Sequence, residues 1–567
     1  MPTRSEVIAR LTAGGAFELV EDHSPGYPLK IYRNGPKSMR EVLQSTRVFD
    51  DRTFLIYGDE EITFREHFEQ AAALAHFLRG AGVGKGDRVA IGMRNYPEWV
   101  IGFWACQAIG AVVVALNAWW TGAELTYALE DSAPMAMLID GERLARLSTL
   151  IGGMKLKALV VARRNGAGPG GTDFAEAVAK RTAELPAADI GPSDYCTILY
   201  TSGTTGRPKG AVATQQNHIT NYMNTLLSGA AARGLMGDFS EIAPADMPQG
   251  GSLQTFPFFH IGGLTGLYLS TGTGSKLAVM YKWNPAEAVQ LVAKHKLSGV
   301  SGVPIVVRQL LESARASGAD VSSVLGVSSG GAAVPPDLIR QIGKQFEQKA
   351  APANGYGLTE TTSAVITNSG ADYFAHPDSI GRPVATAEVR FVDDSGKDLG
   401  NNQIGELWIR GANVIPGYWN KPDATEAAFG GGWFRTGDLG YQDDEGFCYV
   451  VDRKKDVIIR GGENVYCAEV EAAILEHPLV RDVAVVGLPD PEYGEQVAAV
   501  IQVGDRAQAR ALPDELRASL ATTLARFKIP SAYQVTEEEL PRTATGKVLK
   551  RELRNMFKAE PAASAAK

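Results

Sequence analysis

Short apolar runs alternate with amphipathic stretches through the first half of the chain, and no other feature of the sequence constrains the fold as strongly. Between Thr53 and Asp140 the runs RVAIGM, AVVVAL and MAMLI are separated by segments such as EHFEQAAALAHFLRGAG, which carry apolar residues at helical spacing. Repeated strand–helix units of this kind form parallel sheets. The pattern continues in the apolar runs at 158–162, 197–202, 276–280 and 300–304. We therefore predict an α/β fold with layered βα sheets in a large N-terminal domain.

The pattern changes in the last third of the chain. From about Glu388 short strands are separated by turn residues, which predicts a β-rich subdomain. Beyond Lys455 the segments EVEAAILEHP, DELRASLATTLARFK and GKVLKRELRNMF read as helices, and RDVAVVGL and QVAAVIQV read as strands. We predict a large N-terminal domain over residues 1–453 and a small α+β C-terminal domain over residues 454–567.

Composition excludes several classes of protein. The 567 residues carry 56 Lys plus Arg against 64 Asp plus Glu, a net charge of −8 that disfavours dedicated nucleic-acid binding. The four cysteines never form a CxxC pair, which is typical of a protein from a reducing compartment and not of a zinc ribbon or disulfide scaffold. The N-terminus lacks a signal-peptide pattern, and the longest apolar run, from Ile109, is shorter than a membrane span. We expect a cytoplasmic protein with no integral membrane segment and no nucleic-acid partner.

The sharpest local signal is TILYTSGTTGRPKGAV, residues 197–212. An apolar strand runs into a loop of glycines and hydroxyl residues that is followed by Lys209. Glycines allow backbone N–H groups to converge on an anion, hydroxyls add donors and a lysine adds countercharge, so the segment suits a polyphosphate. The spacing of a Walker A loop is absent, and P-loop NTPase chemistry is not supported.

Five further segments follow this loop in order along the chain. They are FPFFHIGGL (256–264), SSGGAAVPP (328–336), NGYGLTETT (354–362), WFRTGDLGY (433–441) with DRKKDVIIRGGENVYCAEVE (452–471), and LPRTATGK (540–547). Together with the loop, they resemble the motifs of the adenylate-forming superfamily, which includes acyl-CoA synthetases, luciferases and nonribosomal-peptide adenylation domains. The resemblance extends from Thr53 to Arg551. It implies that the large domain binds an acid, ATP and Mg²⁺, and that the small domain is mobile and carries the catalytic lysine.

The resemblance also implies an ATP site assembled from these segments. Its phosphates would be held by the first loop, in which Thr204 counts as catalytic beside Thr201, Ser202, Gly203, Thr205, Gly206 and Lys209. The purine would lie against Gly330, Gly331, Ala332, Asn354, Gly355, Tyr356 and Gly357. An aromatic between two glycines suits a stacked base, and a lone acid beside polyphosphate is best explained by a divalent cation. By the same resemblance, Thr359 would touch the α-phosphate, and Glu360 would be a catalytic residue that holds Mg²⁺.

Five residues in the last third of the chain have implied roles in the two half-reactions. Asp438 and Arg453 would clasp the ribose diol, and Lys547 would be the adenylation lysine. Lys455 falls where the family has its hinge, and Gly462 matches the glycine that lets pantetheine pass. Some members of the family have lysines on the same strand where this chain has Ile459 and Gly461, so contacts to the CoA phosphates are not carried over.

The acyl pocket is the least defined part of the resemblance. His260 would lie at the carboxylate end of the pocket as a catalytic residue, next to Phe259. Gly266 and the nearby motif glycines leave little side-chain volume, which favours a roomy apolar pocket. A medium- or long-chain fatty acid would fill such a pocket, although an aryl-propenoic or polycyclic acid would also fit.

The sequence therefore predicts an AMP-forming acid–CoA ligase that uses ATP, Mg²⁺ and coenzyme A on a small-molecule carboxylic acid. Three alternatives stay open: an aryl-acid CoA ligase, an acyl-AMP ligase that serves a separate carrier protein, and a catalytically silent nucleotide-binding protein. A homodimer is also compatible with the sequence, which contains no coiled-coil heptads.

Overall fold

The large domain and the small domain predicted from the sequence are both present in the structure. The computed structural model describes residues 2–164, 166, 170–201, 207–240, 242–331, 334–543 and 547–557. Four larger sheets and one N-terminal hairpin, Leu19–Asp22 with Leu29–Tyr32, account for the strands of these residues. The predicted α/β fold with layered sheets is confirmed. The helices of the described part of the chain include none with the length and hydropathy needed to cross a membrane.

The first sheet has eight strands and a parallel centre. Its strands are, in spatial order, Gly417–Tyr418, Lys209–Thr214, Tyr195–Thr201, Val112–Ala115, Arg88–Gly92, Ala136–Asp140, Ala158–Ala162 and Thr172–Asp173. The strands from Tyr195–Thr201 to Thr172–Asp173 are parallel neighbours, and the first two strands pair in antiparallel fashion. The sheet therefore extends the early βα repeat with a strand that comes from residues 417–418.

The second sheet has nine strands, and its central strands are also parallel. Its strands are, in spatial order, Arg382–Pro383, Ser363–Ser369, Ala351–Leu358, Gly326–Gly330, Gly299–Gly302, Gly251–Gln254, Lys276–Val279, Thr53–Tyr57 and Glu60–Thr63. The six strands from Ala351–Leu358 to Thr53–Tyr57 run parallel. Their carboxyl ends consequently meet at one edge of the sheet.

Helices between the two sheets form one continuous core with both of them. Side chains from 64–80, 97–109, 215–235 and 261–272 pack in the same buried cluster as strand residues such as Val89 of the first sheet and Leu277 of the second. Helix Pro97–Ile109 is apolar on every side, and all its residues except Glu98 are buried. A helix that is hydrophobic all round has to lie inside the protein, and this one accordingly fills the centre of the layered domain.

Helices connect the strands throughout the chain. The α-helices of the described residues are Arg4–Thr12, Met39–Ser45, Phe64–Gly80, Pro97–Ile109, Gly122–Ser132, Gly141–Gly153, Phe174–Ala177, Gln215–Leu235, Ile261–Gly272, Pro285–His295, Pro304–Ser317, Pro336–Gln345, Gly370–Ala375, Pro422–Ala428, Cys467–Leu475, Leu512–Leu520 and Lys550–Met556. Short 3₁₀ turns occur at Gly15–Phe17, Thr46–Phe49, Pro244–Asp246, Thr359–Thr361 and Arg526–Lys528. Several helices begin at a capping box, as at Thr63 with Glu66, where two otherwise unpaired backbone N–H groups are satisfied.

The predicted β-rich subdomain is an antiparallel third sheet. Its strands are Ala387–Val392, Gly405–Gly411, Trp433–Gln442, Phe429–Gly430 and Cys448–Arg453. The fourth sheet, in the small domain, begins at Ile458 and contains Ile458–Arg460, Glu463–Val465, Val480–Asp490, Gly494–Val503 and Ala532–Thr536. The division predicted after residue 453 falls in the short connection between these two sheets.

The small domain differs from its prediction in two places. The predicted helix DELRASLATTLARFK is shorter, because the α-helix runs from Leu512 to Leu520. The hydroxyls of Thr522 and Thr523 bond back to the carbonyls of Ser519 and Leu520, and such bonds compete with continued helix. The short strands 463–465 and 532–536 were not predicted, since each is too short to show periodicity.

The start of helix Ile261–Gly272 generates a stability prediction. A Cβ at Gly263 would lie 2.0 Å from the carbonyl oxygen of Pro257, whereas at Gly262 the nearest atom would be Phe256 Cγ at 3.6 Å. Overpacking of an ordered site usually costs about 1–3 kcal/mol, so we expect Gly263→Ala to lower the unfolding midpoint by about 2 °C or more. The matched control Gly262→Ala should leave the midpoint unchanged in calorimetry. Equal midpoints for the two variants would contradict the observed packing.

Candidate active site

Several of the predicted site residues follow the carboxyl ends of neighbouring strands in the second sheet. Strands that end at Gln254, Gly302, Gly330 and Leu358 are followed by segments containing His260, Val303, Gly331 and Glu360. In open α/β sheets ligands bind in the crevice outside the carboxyl ends of the strands. The topology therefore brings together sequence motifs that are up to a hundred residues apart.

The glycines of the predicted purine site have packing roles that the sequence did not reveal. Gly330 pairs with Gly355 in the parallel register, and a Cβ at Gly330 would lie 3.3 Å from the carbonyl oxygen of Gly355. A Cβ at Gly355 would lie 2.9 Å from Ala364 Cβ, and one at Gly357 would lie 1.9 Å from the carbonyl oxygen of Ser363. Gly355 and Gly357 are thus required by the strand packed against them, whatever ligand they meet.

Asp438 forms a buried link between the second and third sheets. Its carboxylate is 5% exposed, accepts a hydrogen bond from the Tyr356 hydroxyl at 2.5 Å and lies 3.3 Å from Arg453 Nε. Asp438 and Arg453 are also direct partners on adjacent antiparallel strands. Burial, followed by the negative charge of Asp438, raises the pKa of Tyr356 well above its usual value, so the hydroxyl stays a donor. The predicted base platform and the predicted ribose clasp are therefore one hydrogen-bonded unit.

Glu360 has a partner that sequence analysis missed. The Tyr418 hydroxyl donates to Glu360 Oε1 at 2.7 Å, and Lys209 Nζ lies 5.0 Å from the centre of the Tyr418 ring. Tyr418 reaches the site because the strand Gly417–Tyr418 pairs with Lys209–Thr214 at the edge of the first sheet. Burial and the Glu360 carboxylate both raise the pKa of Tyr418. The segment GYWNKPDAT carries turn residues, but nothing in it predicts a pairing some two hundred residues away.

The turn that carries Glu360 is fixed by hydrogen bonds from residues 413–415. Buried Asn413 donates through Nδ2 to the carbonyl oxygen of Thr361 at 2.7 Å, and the backbone N–H of Ile415 donates to the Glu360 carbonyl at 2.9 Å. Thr362 and Ser363 follow with φ values of 47° and 83°, which are unusual for residues with a side chain. Strained backbone of this type persists where surrounding contacts fix it, and it is often found at functional sites.

Lys547 approaches the same cluster from the small domain. Burial is the main reason that the pKa of Lys547 falls to about 8, and the nearby Arg453 lowers it further, while Asp438 and Glu360 act in the opposite direction. Burial, with a smaller contribution from the charge of Lys547, lowers the pKa of His260 to about 4. His260 is therefore neutral at pH 7, whereas Lys547 is protonated in most molecules at that pH.

The predicted phosphate loop is only partly within the described residues. Thr201 and Lys209 are direct partners on antiparallel strands at the two ends of the loop. Ser202, Gly203, Thr204, Thr205 and Gly206, together with Ala332 of the purine set, lie outside the described residues. Asn354 lies in the strand before Glu360, and Thr359 opens the 3₁₀ turn that contains it.

Two predicted residues of the small domain, Lys455 and Gly462, lie in exposed turns. Lys455 lies in a turn closed by hydrogen bonds from Asp456 and Val457 to the Arg453 carbonyl, and its charge contributes to the lowered pKa of Lys547. Gly462 lies in the turn between strands Ile458–Arg460 and Glu463–Val465, with φ +88° and no atom within 4 Å of the place its Cβ would occupy. A left-handed backbone at this turn explains the glycine there.

The sequence predicted open space beside Gly266, and the structure shows a side chain there instead. A Cβ at Gly266 would lie 2.3 Å from Oε1 of Gln254, so the carboxamide of Gln254 occupies the volume that the missing side chain leaves. Phe259 contacts Trp119 edge-to-face with ring centroids 5.3 Å apart, and Trp119 is 40% exposed. Phe256 and Val303 lie 3.6 Å from the Cβ position of Gly331. The walls near His260 are therefore aromatic and aliphatic, with one amide among them.

The described residues contain no group of three or more His, Cys, Asp or Glu side chains arranged to hold a metal ion. Glu360 is the one carboxylate that the sequence assigned to Mg²⁺. Its Oε1 accepts the Tyr418 hydrogen bond, and no hydrogen bond from the described residues reaches Oε2. Mg²⁺ is commonly bound by one or two carboxylates together with substrate phosphates, so a single carboxylate with a free oxygen fits this ion.

Comparison with known proteins identifies the family. The model of the AMP-binding enzyme family matches residues 43–419, and the model of the AMP-binding enzyme C-terminal domain matches residues 469–547. A feruloyl-CoA synthase of an Amycolatopsis species is 34% identical over 516 residues, which cover 91% of this chain and 98% of that protein. A long-chain-fatty-acid–CoA ligase of Bacillus subtilis is 33% identical over 560 residues, which cover 93% of this chain and 96% of that protein.

Solved structures agree with the sequence relatives. The o-succinylbenzoate CoA synthetase of Bacillus subtilis in complex with its acyl-adenylate has a TM-score of 0.77 at 29% identity, with 93% of this chain and 99% of that chain covered. An anthranilate CoA ligase in complex with anthranoyl-AMP has a TM-score of 0.80 at 26% identity, with 92% and 97% covered. The same fold, the two matched domains and the shared sequence show that the chain belongs to the AMP-binding enzymes of the adenylate-forming superfamily, in their AMP-forming acid–CoA ligase branch.

Proposed function

We propose that the protein joins a compact aromatic carboxylic acid to coenzyme A in two steps, through an acyl-adenylate. The observation that supports the two-step chemistry best is the convergence of Lys547, Glu360 and the Asp438–Arg453 pair near His260 at the carboxyl edge of the second sheet. Two carboxylates, two cations and a neutral imidazole in one cleft suit a nucleotide polyphosphate, its ribose and an acid.

In the first step an oxygen of the acid's carboxylate attacks the α-phosphorus of ATP, and the bond to pyrophosphate breaks. The Lys547 ammonium would stabilise the negative charge that develops on the attacked phosphate, because the small domain delivers this cation to Asp438 and Glu360. Asp438 and Arg453 would hold the ribose hydroxyls, and Tyr356 would stack on the base. Thr359 and the loop from Thr201 to Lys209, including Thr204, would bind the phosphates.

Glu360 would bind the Mg²⁺ ion that the first step uses. A structure of the Bacillus subtilis o-succinylbenzoate CoA synthetase, 30% identical with a TM-score of 0.76 and with 92% of this chain and 99% of that chain covered, was determined with ATP and magnesium ion. When bound at the free oxygen of Glu360, the ion would offset charge on the phosphate oxygens. The Tyr418 hydrogen bond would orient the carboxylate so that this oxygen faces the phosphates.

In the second step the sulfur of CoA attacks the acyl carbonyl, and AMP leaves. We propose that the domain over residues 454–567 rotates about Lys455, so that Lys547 withdraws and the turn at Gly462 faces the acyl group. Neutral His260 would lie at the carboxylate end of the acyl pocket and gate access of the thiol. Ile459 and Gly461 leave the contacts to the CoA phosphates to other residues.

A ring-bearing acid is supported by the acyl side of the site. The fatty-acid prediction depended on open space at Gly266, and Gln254 fills that space. Phe256, Phe259 and Val303 offer flat apolar walls beside His260. By their names, the relatives at 30–34% identity include synthases or ligases for feruloyl, 2-succinylbenzoate and indoleacetate groups as well as a long-chain fatty acid. The cytoplasmic location and the homodimer stay predictions from the sequence.

Lys547→Ala should separate the two half-reactions. Loss of a positioned charged donor typically costs 10²–10³ in rate, so we expect adenylate formation to fall by about that factor. Thioester formation from presynthesised acyl-AMP and CoA should stay within about threefold of wild type, since Lys547 is needed only in the first step. Pyrophosphate release and thioester formation, measured separately, check this. An equal loss in both half-reactions would refute the role of Lys547.

The pH dependence should report the lowered pKa of Lys547. The ammonium is lost as pH rises through about 8, so kcat/KM for ATP should fall above pH 8, well below the ordinary lysine value of 10.5. Lys547→Arg is the matched control, because a guanidinium stays charged and should give a profile without this fall. A wild-type profile that stays flat up to pH 10 would contradict the assignment.

A panel of acids tests the substrate class. With ATP, Mg²⁺ and CoA, cinnamate-, benzoate- and indoleacetate-type acids should include a substrate whose kcat/KM exceeds those of butyrate, dodecanoate and palmitate by about tenfold or more, which is about 1.4 kcal/mol of transition-state binding. Palmitate or dodecanoate as the best substrate would favour the fatty-acid alternative. Pyrophosphate release without thioester would favour an acyl-AMP ligase for a carrier protein.

A further inference from the structure

Arg94 is a half-buried cation of the large domain that no carboxylate of the described residues pairs with. Its guanidinium carbon lies 4.7 Å from the ring centre of Trp119 and 5.1 Å from that of Tyr281. Its Nε is buried and has no hydrogen-bond partner among the described residues. Burial, followed by the charge of Arg143, lowers the pKa of Arg94. An anion beside this guanidinium would favour its charged form.

The two acids beside Arg94 are already engaged by other cations. Arg143 Nη1 lies 2.6 Å from Asp140 Oδ2 and 3.0 Å from Glu142 Oε2. Arg146 Nη2 lies 2.9 Å from Glu142 Oε1. Three arginines therefore share two carboxylates, and Arg94 carries the positive charge that is left over.

Arg94, Trp119 and Tyr281 form a surface that we call the cationic shelf. Trp119 and Tyr281 are 40% and 39% exposed, so a ligand can reach the shelf from solvent. Arg94 and Trp119 follow strands of the first sheet, and Tyr281 follows a strand of the second. The shelf therefore lies outside the carboxyl ends of parallel strands, where open α/β sheets bind their ligands.

The cationic shelf is joined directly to the segment that leads to His260. The Trp119 ring contacts the ring of Phe259, the residue before His260, with centroids 5.3 Å apart. Asn95, which follows the arginine of the shelf, donates to the carbonyl oxygen of Phe256 at 2.9 Å. A ligand that lies on the shelf is thus next to the entry of the acyl side, while its charged end stays at the surface.

We propose that the cationic shelf binds the nucleotide end of coenzyme A during thioester formation, with Arg94 on a phosphate and Trp119 against the adenine. This rests on the proposed function, in which the CoA thiol attacks the acyl group beside His260. A guanidinium pairs with phosphate oxygens through charge-assisted hydrogen bonds, and an exposed aromatic ring stacks on any base. The shelf belongs to the large domain, so rotation of the small domain would leave it in place. It also supplies a cation, which Ile459 and Gly461 do not.

Three thiols that differ in their nucleotide end test this assignment on the full-length protein. CoA, dephospho-CoA and pantetheine would be compared by kcat/KM for thioester formation from the presynthesised acyl-AMP of the best acid in the panel, which isolates the second step. We expect CoA to exceed pantetheine by about tenfold or more, because a hydrogen bond between charged groups is typically strong enough for that factor. Dephospho-CoA shows whether the 3′-phosphate contributes. A wild-type enzyme that uses pantetheine as well as CoA would overturn the proposal.

Variants at the two ends of one strand locate the preference. Arg94→Gln should raise KM for CoA by about tenfold or more and leave kcat/KM for pantetheine within about threefold of wild type, and Arg94→Lys should recover part of the loss. Arg88→Gln is the matched control. Arg88 is also half-buried and lies 5.7 Å from the ring centre of Trp419, but it begins the strand that Arg94 follows, so the preference for CoA should persist.

The outcomes separate this proposal from the function on which it rests. A rise in KM for the acid in Arg94→Gln, with KM for CoA unchanged, would place a group of the acid on the shelf and overturn the assignment to CoA. Should Arg94→Gln fail to fold by thermal melt, the wild-type thiol series and Trp119→Ala still decide, because Trp119→Ala should lower the ratio of CoA to pantetheine.

The second step can also fail by itself. Adenylate formation without thioester from any of the three thiols would overturn the shelf as a CoA site and favour a carrier-protein thiol. No pyrophosphate release with any acid, against a control ligase that works, would refute the proposed function and this assignment together.

Discussion

The buried carboxylate of Asp438 is the interaction on which the arrangement of the site depends. It accepts from Tyr356 of the second sheet and pairs with Arg453, the last strand residue before the small domain. A single carboxylate therefore links Tyr356 of the second sheet, the third sheet and the start of the connection to the small domain. A buried charge is tolerated only where it is paired and hydrogen-bonded, and Asp438 has both kinds of partner.

Three cations lie near this carboxylate: Arg453, Lys455 and Lys547. Burial and, to a smaller extent, the charges of Arg453 and Lys455 lower the pKa of Lys547. The Lys547 ammonium therefore loses its proton more readily than that of an exposed lysine. A polyphosphate bound there would relieve this repulsion, so nucleotide binding and the charged state of Lys547 reinforce each other.

A glycine in a motif can be required by a ligand or by the packing of a neighbouring strand or side chain. The sequence motifs pointed to Gly355 and Gly357 as purine contacts, and the structure shows that Ser363 and Ala364 exclude any side chain there. Gly266 was expected to open the acyl pocket, yet the Gln254 amide fills the space beside it. A missing side chain admits whichever neighbour the fold supplies, and the sequence does not identify that neighbour.

The sequence by itself determined the α/β class and the order of the two domains, and it singled out Glu360, Asp438, Arg453 and Lys547 as site candidates, because hydrophobic periodicity and short motifs are local properties of the chain. It missed the short strands of the small domain and overextended the helix that ends at Leu520. Only the tertiary structure decided which side chains meet. The Tyr418 hydroxyl donates to Glu360, the Tyr356 hydroxyl donates to Asp438, and the Gln254 amide lies against Gly266. Each of these contacts joins elements distant in the chain or on separate layers, and such pairings are set by sheet register and core packing, which leave no periodic trace in the sequence.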